Sequence, residues 1–416
     1  MAEVKERDFY NFMKSYDSER TYKTNRAAGI ITADDEALIR EYVGERQAQK
    51  HISNPRVRKY VSHLVNWRRY LAKPYRELAI GDVYNGIATI KIATNSKGRP
   101  FAANTLHDYV ILLKPFLLWL IDSGYSDLPE KKIRGITAPR QDDQTKKPDD
   151  LLTPQEIETL IKAASSARDR AIISILYESG CRISELARLR WRDVVFDQYG
   201  IGLHLTDQKT KKKRYSRLTF SQDYMAAWKA DYRPGHPDPD APAFITQRGL
   251  PLDYIQTLRV IQRTAARAGI KKRIHPHLFR TSRITHLVSQ NYQESVIKKS
   301  MWNNINTAQF KAYVALSEKD IDAEFLDKAG IIKKAEQPGA AVRPQPCPHC
   351  HRTNAPTADY CNRCATPLTE EAIAREEDKR TTLIADIERD PLYIALESRY
   401  QQFMEEARAE IARLKS

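Results

Sequence analysis

The sequence predicts a mainly α protein with one small β-sheet, an α+β chain of several folded units. Three observations carry that expectation. Apolar side chains recur every three or four residues over most of the first 330 positions, the period shortens to two only between Ile201 and Phe220, and two proline-bearing stretches, 139–150 and 331–346, interrupt the pattern. With 416 residues the chain exceeds an average domain, so two or three units are expected.

Taken in order, Thr32 with Asp35 is a helix start of the capping-box type, hydroxyl and carboxylate each serving the other's backbone N–H. Three helical stretches follow, marked by Ala37, Leu38 and Tyr42, by Val57, Val61, Leu64 and Leu71, and by Leu106, Val110, Leu113, Leu117 and Leu120. Arg56, Arg58, Lys59, His63, Arg68 and Arg69 crowd positive charge onto the second. A solvated face is the plain reading, and a phosphate-contacting DNA surface is the expectation. Residues 139–150 lack any apolar side chain and read as a linker. Thr153-Pro-Gln-Glu156 then opens a helix, with Thr at the cap and Pro at the first helical position. Ile172, Ile173, Ile175, Leu176 and Tyr177 carry the next helix to Gly180. Ile201, Leu203 and Leu205, a lysine-rich turn, then Leu218 and Phe220 read as a hairpin. Helices resume after Leu252. A second linker spans 331–346, and a compact cysteine module runs from Cys347 to Cys364. Asp390-Pro391 begins a last helix, on which Tyr393, Leu396, Tyr400, Phe403 and Ala407 alternate at spacings of 3 and 4. About two heptads are clean, a short coiled coil being one reading. The expected division is therefore a helical N-terminal DNA-binding domain over 1–140, a catalytic domain over 150–330, the linker, the cysteine module over 347–368 and a helical tail over 369–416.

The formal net charge is +15. Residues 369–416 carry 8 Lys and Arg against 12 Asp and Glu, leaving 60 against 41, a net of +19, for residues 1–368. A basic body favours a polyanion, because each neutralised phosphate releases counterions. Composition alone leaves ribosomal, RNA-binding and DNA-binding readings open. Met1 to Tyr10 is charged, and the most apolar stretch, Tyr109 to Ile121, is broken by Lys114 and Pro115, so neither a signal peptide nor a spanning helix is expected. Five cysteines, four of them in two Cys-x-x-Cys pairs, suit a reducing cytoplasm and a metal rather than a disulfide framework.

Four residues point to strand chemistry. Arg182, in Gly180-Cys-Arg-Ile-Ser-Glu-Leu186, leaves a tight turn ahead of Ser184, a good cap for the next helix, with Glu185 placed to brace the guanidinium. His277 and Arg280 are three apart after Pro276, on one helical face, an arrangement that favours a neutral imidazole able to accept or relay a proton. Tyr313 follows 33 residues after Arg280. Two guanidinium forks can grip one phosphodiester, and a tyrosine oxygen can attack it, storing the bond energy in a phosphotyrosine. No Gly-rich phosphate loop occurs, so no nucleotide cofactor is required for the chemistry. Departure of the 5′ oxygen needs a proton, and Lys209, near the tip of the hairpin, could supply it; Lys211, Lys212 and Lys213 compete for that role or grip the DNA backbone.

Together, Gly-Cys-Arg-Ile-Ser-Glu-Leu, a hairpin lysine, His-Pro-His-Leu-Phe-Arg, a Trp-bearing segment and a late Tyr resemble the tyrosine recombinase (phage integrase) family over residues 150–330. The N-terminal region is similar to the family's helical, SAM-like core-binding domain. The resemblance implies that Arg182 and Arg280 clamp the scissile phosphate, Lys209 is the general acid, His277 the proton acceptor or phosphate ligand and Tyr313 the nucleophile, with Trp302 at the position where relatives carry His or Trp. It also implies a homotetramer on two duplexes bearing specific sites, with accessory factors as further partners. Trp302 lies 11 residues before Tyr313, somewhat far, and Thr281 stands where many relatives have His. The wording around Trp302 and the appended cysteine module look most like archaeal integrases, methanogen ones in particular, which points to a mobile element.

Cys347-Pro-His-Cys350 and Cys361-Asn-Arg-Cys364 have zinc-ribbon spacing, and four thiolates close a tetrahedron without His349 or His351. A structural zinc is expected. Cys181 reads as a packing residue. The expected function is site-specific DNA integration or recombination through a 3′-phosphotyrosine. The rivals are relaxation of the topoisomerase IB kind and a non-catalytic DNA-binding regulator that kept the fold.

Overall fold

In a computed structural model of the chain, the described residues are 18–95, 97–142, 147–206, 213–232, 235–312, 322, 325–326, 329, 342 and 344–415. They fall into two compact units. One draws on residues 1–150, 251–257 and 308–315, the other on 151–250, 258–307 and 316–416. The units are thus discontinuous in sequence, which a reading of contiguous domains did not foresee.

The first unit is helical: α1 (Ser18–Ala27), α2 (Ala33–Lys50), α3 (Asn54–Trp67), α4 (Ile80–Ile92), α5 (Ala103–Asp122) and α6 (Glu130–Arg134). The capping box at Thr32 forms, Oγ1 accepting from Asp35 N at 3.0 Å and Asp35 Oδ2 from Thr32 N at 2.9 Å. Apolar faces of α2, α3 and α5 bury Tyr42, Leu64, Trp67, Tyr75 and Phe116. The rings meet edge-on, Tyr42 against Phe116 at 5.1 Å and Tyr75 against Phe116 at 4.8 Å, geometry that adds to the area term.

The second unit holds α7 (Pro154–Ala163), α8 (Ala167–Glu178), α9 (Ile183–Leu186), β1 (Val194–Asp197), β2 (Gly200–Thr206), β3 (Lys213–Leu218), α10 (Ser221–Ala230), α12 (Pro276–Ser289) and α13 (Glu294–Trp302), while α11 (Tyr254–Arg267) begins in the first unit's segment and ends in the second's. The expected hairpin is β2 with β3, antiparallel, Ile201 opposite Leu218 and Leu205 opposite Arg214. It ends at Leu218 rather than Phe220, which is buried at the start of α10. β1 adds a third strand in the order β1-β2-β3. β3 alternates strictly, with Arg214, Ser216 and Leu218 buried and Lys213, Tyr215 and Arg217 exposed. The buried Glu178 carboxylate at the end of α8 accepts from Phe220 N (3.2 Å), Ser221 N (2.9 Å) and Ser221 Oγ (2.7 Å), so it fixes the N-terminus of α10 beside the end of α8. Charge at a helix N-terminus adds to those bonds.

In the same unit, β4 (Gln345–Pro346) pairs with β5 (Thr353–Asn354) in the cysteine module, and Tyr224 Oη of α10 lies 2.6 Å from Thr357 Oγ1. α14 (Glu370–Arg389) and α15 (Pro391–Lys415) form the tail, Asp390 capping α15 by accepting from Leu392 N at 2.7 Å. No described helix is long and apolar enough to cross a membrane.

Candidate functional site

The site is built at the end of α8. Ser179 closes that helix, and Gly180 takes φ 54, a left-handed conformation that costs a side chain energy. Space also demands glycine, since a Cβ there would sit 2.8 Å from Met301 Sδ. The chain turns so tightly that Arg182, two residues on, becomes the cap position of α9. The cap is not made by Ser184, as the sequence suggested. Ser184 is buried inside α9, and the Glu185 carboxylate accepts from Arg182 N at 2.8 Å.

Arg280 ties this turn to the end of α13. Its side chain is fully buried, Nη1 donating to Gly180 O at 2.7 Å and Nη2 to Met301 O at 2.9 Å, and Cζ lies over the Trp302 ring 4.7 Å from its centroid. Guanidinium over indole is a favourable cation–π pair. Asn303 ends α13 in the left-handed conformation, and its Nδ2 donates to Lys213 O at 2.8 Å, joining the start of β3, the turn end of the hairpin, to the same end.

Arg214 is the residue of this corner that the sequence reading did not single out. Its guanidinium, 2 % exposed, donates through Nη2 to Glu185 Oε2 at 2.7 Å and through Nη1 to Ser300 O at 2.8 Å. Glu185 is therefore shared, since Arg182 Nη1 also reaches Oε1 at 3.3 Å with the Arg182 side chain 30 % exposed. Burial pushes the Glu185 carboxyl up, but the charge and hydrogen bonds of Arg214, the Arg182 N–H and the charge of Arg280 bring it net below the usual glutamate value. The signal was available: Leu218 sets which β3 residues face inward, Arg214 falls in that row, and a buried guanidinium demands a carboxylate.

The structure thus brings Arg182, Glu185, Arg280 and Trp302 together around one turn. His277, the second residue of α12, stands one turn before Arg280 on the same helix face, exposed where Arg280 is buried. Lys213 is the exposed first residue of β3. Lys209, Lys211, Lys212 and Tyr313 lie outside the described residues. Burial pushes the Cys181 thiol up to about 11, which makes it a packing residue with little thiolate.

In the first unit the basic cluster divides, and α3 ends at Trp67, so Arg68 and Arg69 fall past the helix rather than on it. Arg56 is exposed, over the Tyr60 ring at 5.0 Å, and Arg69 is exposed, donating to Asn25 Oδ1 at 2.9 Å. Arg58 is half-buried, and Lys59 pairs with Asp108 at 2.7 Å. Arg68 must be withdrawn from any DNA-facing surface. Its side chain is only 8 % exposed and is spent on Asp35 at 2.9 Å and on the Leu71 carbonyl at 3.0 Å.

The four cysteines Cys347, Cys350, Cys361 and Cys364 converge, their Sγ atoms all within 4.8 Å of one another. Cys347 to Cys364 is 3.5 Å and Cys350 to Cys361 is 3.6 Å. Four sulfurs bonded at about 2.3 Å around one tetrahedral ion would stand roughly 3.8 Å apart, so the cluster fits a metal of that kind.

Residues 150–320 match the Phage integrase family. A tyrosine recombinase of Thermosipho africanus is 30 % identical over 221 residues, which cover 52 % of this chain and 73 % of that protein. The tyrosine recombinase XerC of Xanthomonas axonopodis pv. citri is 29 % identical over 194 residues, 46 % of this chain; the match spans 61 % of the length of that relative. Among solved structures, a lambda integrase tetramer bound to a Holliday junction aligns with a TM-score of 0.51 at 16 % identity, over 66 % of this chain and 80 % of that one, a likeness of fold.

Proposed function

The chain belongs to the tyrosine recombinase family, and from that premise we propose that it cuts and rejoins DNA at specific sites through a 3′-phosphotyrosine on Tyr313. The observation that carries this reading is the buried Arg280 guanidinium bonded to the very turn that launches Arg182. Arg182 is the partly exposed arm that would reach a phosphodiester, while Arg280, with both terminal nitrogens donating to backbone carbonyls, adds a second permanent charge behind the same corner, so charge developing on the phosphorane meets fixed positive charge.

In the forward step the Tyr313 phenol oxygen bonds to phosphorus, its proton passing to His277 or solvent, and the bond to the 5′ oxygen breaks as that oxygen takes a proton from Lys209 or a neighbouring hairpin lysine. The reverse step, with a 5′ hydroxyl from a partner duplex, reseals the strand and needs no nucleotide. Trp302 holds Arg280 from the side. Arg56, Arg58 and Lys59 on α3, Arg69 just past its end, and Lys211 to Lys213 would contact the DNA backbone. Cys347, Cys350, Cys361 and Cys364 would hold a zinc ion that stabilises their module. Four copies would act on two duplexes in the cytoplasm, a reading supported by the family and by the tetrameric likeness; an integrase of a mobile element, archaeal in character, fits the cysteine module.

The test is a nicked suicide duplex carrying host or element attachment sites. The native chain should form a covalent protein–DNA adduct without ATP. Tyr313→Phe should bind the same duplex and form none, and Arg182→Ala or Arg280→Ala should slow adduct formation about 10²–10³-fold. An adduct that persists in Tyr313→Phe refutes the assignment.

A further inference from the structure

The last helix carries an apolar stripe that no described residue covers. On α15, Leu396 is 68 % and Phe403 64 % exposed, and Tyr400 and Leu414 stand out equally from the surface. An uncovered stripe of this size on one helix marks an interaction surface. Its spacing is heptad-like: Tyr393, Tyr400, Ala407 and Leu414 fall at one core position and Leu396 and Phe403 at the other.

The remaining core position is Glu410, and it decides the geometry. In a parallel pair, Glu410 would face Glu410 of the second copy, two like charges inside an apolar seam. In an antiparallel pair, Tyr400 faces Phe403, Leu396 faces Ala407, and the Tyr393 hydroxyl meets the Glu410 carboxylate, a donor for an acceptor. The same register sets the flanking Arg399 against Glu406 of the second copy, twice by symmetry. Arg399 forms no ion pair among the described residues, while Glu406 accepts only a long bond from Gln402 Nε2 at 3.2 Å. A parallel register offers neither residue a charged partner, because Met404 and Ile411 occupy the opposite flanking positions.

We propose that α15 is a self-association surface that takes α15 of a second copy of this chain, antiparallel, without DNA. The inference does not depend on the strand chemistry. Sedimentation equilibrium of the full chain in the absence of DNA tests it. The native protein should dimerise, and Phe403→Asp should abolish the dimer. Arg399→Glu and Glu406→Arg should each weaken self-association about tenfold, because two attractive contacts become two repulsive ones. Mixing those two variants should restore the dimer, since in the mixed pair every 399–406 contact joins opposite charges. A monomeric native chain, a dimer that survives Phe403→Asp, single swaps without effect, or a mixture no tighter than its components would each overturn the proposal.

Discussion

Each unit contains a buried carboxylate at the third position of a helix, and the two differ in how their charges balance. Asp35 accepts from its cap residue, Thr32 N, takes one buried guanidinium from Arg68, and gives its other oxygen to Tyr75 N at 2.9 Å. Glu185 likewise accepts from its cap residue, Arg182 N, and takes one buried guanidinium from Arg214, but it also faces a second, that of Arg182. The first cluster sums to zero. The second, with Arg280 beside it, retains excess positive charge, and Arg182 is its partly exposed arm. The same local device is a clamp where the charges cancel, and where they do not it leaves the positive charge that the proposed function uses.

The largest effects should come from breaking either pair. Arg68→Ala strands the buried Asp35 carboxylate and should lower the stability of its unit by about 3–5 kcal/mol; Arg214→Ala leaves Glu185 its pair with Arg182, so the loss in the second unit should be smaller. Urea unfolding followed by a probe in each unit measures this. Function separates them: under conditions where both variants remain folded, Arg214→Ala should slow adduct formation, because Glu185 then closes on Arg182 alone, and Arg214→Lys should restore part of the rate. Arg68→Ala should leave the rate per bound complex near native. Equal rate losses in both would erase the distinction between clamp and site.

Acid provides an intermediate contrast. Each unit holds a half-buried histidine whose imidazole is kept below its ordinary value: His63, where desolvation outweighs its bond to the Lys59 carbonyl, and His286, where desolvation next to Arg283 brings it to about 4. The folded second unit keeps His286 neutral, 2.8 Å from Tyr177 Oη, while the unfolded chain takes up a proton near 6.5. The unfolded state therefore binds more protons between those values. The stabilisation is complete above about pH 6.5 and declines toward pH 4, by about 3 kcal/mol at most. Thermal unfolding at pH 7 and pH 5 should show the loss, and His286→Gln should flatten it in the second unit alone.

What the sequence made legible follows from how local the signal is. The capping boxes at Thr32 and Thr153, the period-two hairpin, the helix start at Asp390 and the paired cysteines all announce themselves within a few residues, and each is formed. β1, only four residues long, is too short for a period to register; Val194-Val-Phe before an Asp-Gln-Tyr-Gly turn was the available cue. Arg214 was hidden in a run of lysines, because facing direction on β3 is fixed by pairing with β2, a contact between strands. Arg68 misled because whether a polar group faces water depends on elements far along the chain, here Asp35 of α2, 33 residues earlier; Ser184 misled locally, because Glu185 caps the helix at Arg182 instead.

Arg68 and Arg69 state that dependence at its finest scale, as neighbours on opposite sides of a solvent boundary. Arg69, and Arg56 two turns or more earlier on the same basic surface, are exposed, so replacing either with Ala should change unfolding free energy by no more than about 0.5 kcal/mol. If they touch phosphates, each loss should instead reduce the slope of log affinity against log salt by about one and weaken binding similarly for specific and unrelated duplexes. Fluorescence anisotropy titrations from low to moderate salt measure that slope. An unchanged slope in both variants would mean that these charges are only solvated, and that the excess positive charge of the second unit must account for the chain's hold on DNA.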